Sequence, residues 1–100
     1  MSLSIQQQDN TRRELKENYK KAKLTIEQVA EDLGSSVSYI NQLFALEPAC
    51  LEDTWILRNY LLKHVIANGK RPTEFTALAR DWHSYWFLDG AYIDAGKILR

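Results

Sequence analysis

The sequence predicts a mainly α-helical fold, a bundle of four helices closed by a short aromatic C-terminal element. Two observations carry that expectation. Apolar residues recur at the three- and four-residue spacing of a half-buried helix from the first stretch through to about residue 68. A helix-starting side chain stands ahead of each periodic stretch, at Ser4, Thr25, Ser36 and Asp53, and glycine closes two of them, at Gly34 and Gly69. A chain of 100 residues suits a single domain over 1–100 with one modest core.

Ser4 with Gln7 is a capping-box pattern, in which each side chain satisfies the other residue's free backbone donor. The helix it opens runs to about Lys23, with Leu15, Tyr19 and Ala22 on its inner face. At 100° per residue, Arg12, Arg13, Lys16, Lys20 and Lys23 share an adjoining arc about 100° wide, a basic stripe beside the buried one. Thr25 with Gln28 repeats the capping box and starts a second helix, with Ile26, Val29, Ala30 and Leu33 inward. Gly34 stops it, because a left-handed turn is nearly free of strain only for glycine. Ser36 caps a third helix that turns Val37, Ile40, Leu43 and Phe44 inward and leaves Ser38, Asn41, Gln42 and Ala45 outward.

Residues 47–53, which include Pro48, read as a connection, and Asp53 as the cap of a long helix over about 54–68. Ile56, Leu57, Tyr60, Leu61, His64, Val65 and Asn68 trace its apolar stripe, and Trp55, Leu62 and Ile66 widen it. So broad a face suggests the centre of the core, or a core plus a partner surface. The aromatic tail, 73–100, fits two patterns. Phe75, Leu78, Ala79, Trp82 and Trp86 keep helical spacing, whereas "FTAL" and "YWFL" around "ARDWHS" fit a short hairpin, which the aromatic content favours. Gly90 and Gly96 bracket a last helical turn.

Formal net charge is zero, yet it is unevenly spread. Residues 1–24 balance to +3, residues 54–100 to +3, and residues 25–53 to −6 without a single cation. The acids of that block are Glu27, Glu31, Asp32, Glu47, Glu52 and Asp53. Within "LTIEQVAEDLGSSVSYINQLFAL" the small Ala30, the turn residue Gly34 and the wedge Ile40 keep the spacing of two helices crossing closely at a tight turn.

This stretch, with the helix before it, resembles the helix-turn-helix of the Cro and phage-repressor superfamily over about residues 5–46, the motif itself being about 25–46. The resemblance implies a lambda-repressor-like bundle, a reading helix at 37–46 and double-stranded DNA as partner. Ser36 and Ser38 would then meet phosphate or a base edge, and Asn41 and Gln42 would each pair with adenine through two hydrogen bonds. Arg12, Arg13, Lys16, Lys20 and Lys23 would meet phosphates. Two positions depart from the pattern. Ile26 stands where DNA-binding relatives often carry glutamine, and the reading helix has no arginine or lysine.

"LEDTWILRNYLL", "FTAL" and "HSYWFLD" resemble a small family of bacterial proteins classed as a domain of unknown function. That likeness implies a bacterial origin and a mainly helical fold, and supplies no activity. The expected function is a DNA-binding, transcription-regulator-like protein acting as a homodimer. The alternative is a protein-interaction module that keeps the helix-turn-helix as scaffold. Six of the eleven aromatics lie between Phe75 and Tyr92, more than a modest core absorbs beside Trp55 and Tyr60. Most are expected to cap the long helix, and Trp82, Tyr85, Trp86 and Phe87 are the candidates for a dimer interface.

No enzymatic arrangement stands out, so no catalytic residue, cofactor or metal is expected. "NGKRP" lacks the residues of a phosphate loop, and neither paired cysteines nor a His-x₃-His spacing offers a zinc site. Asp81, His83 and Asp89 are close in sequence but read as a charged surface turn. Cys50 and His64 lack a third, orienting group. The polar start "MSLSIQQQDN" and the short apolar runs point to a soluble cytoplasmic protein with no membrane contact and no identifiable small-molecule ligand.

Overall fold

Local capping decides where the helices begin. A computed structural model describes residues 4–47, 51–78 and 88–98. Among them the chain forms α1 (Ile5–Ala22), α2 (Ile26–Leu33), α3 (Val37–Phe44), α4 (Leu51–Ala67) and α5 (Gly90–Ala95), and no strand. Ser4 Oγ accepts from the Gln7 amide at 3.1 Å while Gln7 Oε1 accepts from the Ser4 amide at 2.9 Å, so the first capping box is complete. At α2 only half of the box forms: Thr25 Oγ1 accepts from Gln28 N–H at 3.2 Å, but the Gln28 amide reaches forward to Asp32 at 2.8 Å. Ser36 Oγ accepts from Tyr39 N–H at 3.1 Å and opens α3.

The long helix starts at Leu51, earlier than the Asp53 cap predicts. Asp53 lies in its first turn instead, fully buried, accepting from the hydroxyls of Tyr39 on α3 and of Tyr92 on α5, the latter at 2.8 Å. Two phenol donors satisfy a carboxylate that would otherwise be costly to bury. Trp55, Ile56, Leu57, Leu61 and Val65 are all buried, and α4 packs against α1, α3 and α5. The central position expected of this helix is the one it takes.

A polar seam joins α1 to the segment after α4. Glu14 and Asn18 are buried, although their charge and polarity suggest a solvent face. Asn18 exchanges two hydrogen bonds with the backbone of Thr73, each 2.9 Å long. Glu14 accepts from the Thr76 amide at 3.2 Å and from its hydroxyl at 3.0 Å. Lys21 adds bonds to Arg71 O (3.0 Å) and Thr73 Oγ1 (2.8 Å). Residues 70–75 have no ladder of their own, so side chains of α1 meet their backbone needs. Arg58 pins the far end, donating to Leu78 O at 2.6 Å with its guanidinium over the rings of Trp55 and Phe75.

The C-terminal segment closes on α2. Gly34 takes φ 72°, its amide and that of Ser35 satisfy Glu31 O and Ala30 O, and then Lys97 Nζ donates to Asp32 O (2.6 Å) and Ile98 N–H to Leu33 O (2.7 Å). The last carbonyls of α2, which an isolated helix leaves unpaired, are thus all met. The expected hairpin does not form across the described part of the tail. Residues 76–78 are bends, and α5 starts at an Asp89 side-chain cap and stops at Gly96. That last helical turn is the one the two glycines predict. Residues 79–87, the rest of the hairpin, lie outside the described residues. No described helix is long and apolar enough to cross a membrane.

Candidate nucleic-acid interface

The outward face of α3 is uncharged. Ser38, Asn41 and Gln42 are exposed, as their positions opposite buried Ile40 and Leu43 require. Ser36 is exposed too, with its hydroxyl engaged in the α3 cap. Cations come from α1. Lys16 and Lys20 share a cleft of about 320 Å³ with Asn41, its walls being Tyr19, Ile26 and Phe44. The Tyr19 and Phe44 rings meet edge to face, centroids 5.4 Å apart, as one of the contacts between α1 and α3.

The rest of the basic stripe divides. Arg12 reaches the end of α3, donating to Ala45 O at 3.4 Å, while pairing with Asp9 at 2.9 Å. Arg13 turns the other way, to Glu17 at 3.1 Å and Glu14 at 3.8 Å, beside the polar seam. Its hydrogen bond is the main cause of a Glu17 carboxyl below the usual range. Lys23 is exposed at the left-handed end of α1, φ 55°. Of the five predicted phosphate contacts, Lys16 and Lys20 therefore stand at the α3 face, and the two arginines are held in ion pairs.

Sequence reasoning assigns Tyr19 and Phe44 wholly to inner faces. Both are only half-buried and wall the cleft instead. The predicted dimer residues Trp82, Tyr85, Trp86 and Phe87 lie outside the described residues, as do Cys50, Asp81 and His83. Asp89 is the α5 cap, and the His64 ring packs 4.4 Å from that of Tyr60. Among the described residues no three His, Cys, Asp or Glu side chains gather as metal ligands.

A family model described as an uncharacterized protein conserved in bacteria (DUF2316) matches residues 1–89. The chain belongs to this bacterial family. No curated protein and no solved structure matches it. The matched span takes in α1 to α4, and with them the whole of the α1–α2–α3 cleft. The segment that closes on α2, Lys97 and Ile98, lies beyond it.

Three acids of the acidic block are held in hydrogen bonds from neutral donors, which fix their positions and leave their charges in place. Asp53 is buried between two tyrosines, Glu52 accepts from the Asp89 amide at 2.9 Å, and Asp32 accepts from the Tyr60 hydroxyl on α4. Glu27, Glu31 and Glu47 remain exposed. The Tyr60 hydrogen bond holds the Asp32 carboxyl below its ordinary value of 3.8, and burial followed by Asp32 pushes the Tyr60 phenol above 10.0.

The pair stabilises the fold when Asp32 is ionised and Tyr60 neutral. A lowered carboxyl contributes above its unfolded value and loses that contribution as pH falls through its folded one. A raised phenol contributes below its unfolded value and loses that contribution as pH rises. The stability difference between wild type and Tyr60→Phe is therefore expected to be full between 3.8 and 10.0 and to shrink on either side. Urea unfolding of both proteins at acid, neutral and alkaline pH measures it. A difference independent of pH would mean that the hydroxyl acts otherwise than through its hydrogen bond to the Asp32 carboxylate.

Proposed function

We propose that this protein is a DNA-binding, transcription-regulator-like protein of the bacterial cytoplasm, without enzymatic activity, that works as a homodimer. In this reading α2, the Gly34 turn and α3 are a repressor-type helix-turn-helix, and α3 enters the major groove. The observation that carries it is the place of Lys16 and Lys20. They stand on the same face as Asn41, around one cleft, where a backbone phosphate beside the groove would lie. Asn41 and Gln42 supply amides for base edges, and Ser38 a hydroxyl.

A second reading has its own observation. The bare α3 face and the exposed Glu27 and Glu31 suit a protein partner better than a polyanion. Selection from random duplexes, then titration at two salt concentrations, separates the two. With Lys16, Lys20 and Lys23 as the cations of the α1 stripe that no ion pair holds among the described residues, binding is expected to be weak, with a logarithmic salt slope of about −2 to −3 per chain. Lys16→Ala with Lys20→Ala is expected to weaken all sequences alike and flatten that slope by about one unit per lost contact. Asn41→Ala is expected to erode sequence preference by roughly 1–3 kcal/mol. If no duplex is retained at low salt, the interaction module takes the place of the DNA reader.

A further inference from the structure

The α1–α2–α3 cleft has a chemistry that duplex DNA does not exhaust. A phosphate on Lys16 and Lys20 would leave the walls of Tyr19, Ile26 and Phe44 uncovered. Those walls are apolar, two of them aromatic, and only half-buried. Above them stand polar groups without partners: the ammonium groups of Lys16 and Lys20, the side-chain amide of Asn41 and the hydroxyl of Tyr19 have no hydrogen bond or ion pair among the described residues. The cleft's 320 Å³ falls at the small end of the roughly 300–1,000 Å³ typical of small-molecule sites, which pair apolar walls with a few convergent polar groups. Ile26 is the first residue of α2, so the positive end of that helix adds to the field of the two lysines.

From this juxtaposition we propose that the cleft binds a small aromatic acid, one or two rings carrying a carboxylate. The rings lie against Tyr19, Ile26 and Phe44, where stacking and edge contacts add to simple burial. The carboxylate meets Lys16 and Lys20, and Asn41 donates to the same group. A neutral hydrophobe leaves the cations unused, and an inorganic anion leaves the aromatic walls wet. The site does not depend on the DNA reading. If both hold, the acid and a DNA phosphate compete for the same two lysines, and the acid is an effector that releases DNA.

The test is a titration of the isotopically labelled full chain with 2-naphthoate, followed by backbone amide shifts. Saturable shifts are expected at Lys16, Tyr19, Lys20, Ile26, Asn41 and Phe44. The neutral analogue 2-naphthalenemethanol is expected to bind about five- to tenfold more weakly, the worth of two exposed ion pairs. Lys16→Gln with Lys20→Gln is expected to cost naphthoate the same factor, whereas Lys63→Gln with Lys70→Gln, an equal change of charge at other exposed positions, leaves its affinity unchanged. These are surface substitutions, and an otherwise unaltered spectrum shows that each variant folds. No saturable shift at millimolar naphthoate overturns the inference. So do shifts centred on Arg58, Arg71 and Phe75, or equal affinity for the alcohol. Naphthoate binding without any DNA binding supports the inference and removes the DNA reading. DNA binding with no response to naphthoate does the reverse.

Discussion

Replacing Gly34 with valine is expected to destabilise the protein by about 2–3 kcal/mol, and Gly69→Ala by only about 1 kcal/mol. Both glycines sit at φ 72°, so both substitutions strain the backbone. They differ in what surrounds them. A Cβ at Gly69 meets nothing within 4 Å, whereas one at Gly34 lies 3.5 Å from Ile98 O, and the extra methyl groups of valine crowd the backbone at Ile98, whose amide is bonded to Leu33 O. Gly34 also sets the angle between two helices whose inner residues, Val29, Leu33, Ile40 and Leu43, are fully buried. Urea unfolding midpoints of the two variants measure the difference. An unchanged midpoint for Gly34→Val would mean that α2 and α3 are not joined by this turn.

The polar seam gives the second large effect. Asn18→Leu keeps the volume of the side chain but removes both partners of the Thr73 backbone, one donor and one acceptor. Leaving such groups unpaired costs about 2–3 kcal/mol, most of it desolvation. Lys21→Met removes two bonds at the exposed rim of the same seam and is expected to cost under about 1 kcal/mol. Hydrogen exchange adds a local readout. The Thr73 and Thr76 amides are expected to lose protection in Asn18→Leu before α2 and α3 do. Equal stability of Asn18→Leu and wild type would show that packing, not hydrogen bonding, holds residues 70–76 on α1.

Helices α1, α2 and α3 are legible in the sequence because everything that starts and stops them is local: Ser4, Thr25 and Ser36 at the starts, Gly34 at the turn, and an apolar residue every three or four positions between. The seam is not legible. Asn18 and Thr73 are 55 positions apart, and no periodicity announces that an asparagine and a glutamate on α1 will be buried. The start of α4 fails for the same reason, since Asp53 has the composition of a cap but finds two tyrosine hydroxyls from other helices. The cleft is half legible. The lysine stripe and Asn41 follow from their own helices, but only the crossing of α1 beside α3 shows that they share a face, and that Tyr19 and Phe44 are its walls. In the tail, the last helical turn is legible from its bracketing glycines, whereas the hairpin that aromatic propensity favours does not begin in the described run "FTAL", where residues 76–78 are bends.

In the proposed function, the lysines of α1 and the uncharged face of α3 act as one binding surface. Amide shifts on adding a duplex recovered by selection, at low salt, test it most directly. Lys16, Lys20, Ser38, Asn41 and Gln42 are expected to shift together, with the interior of α4 and residues 71–76 unmoved. A spectrum that stays unchanged, or shifts gathered around Arg58 and Arg71 instead, contradicts it.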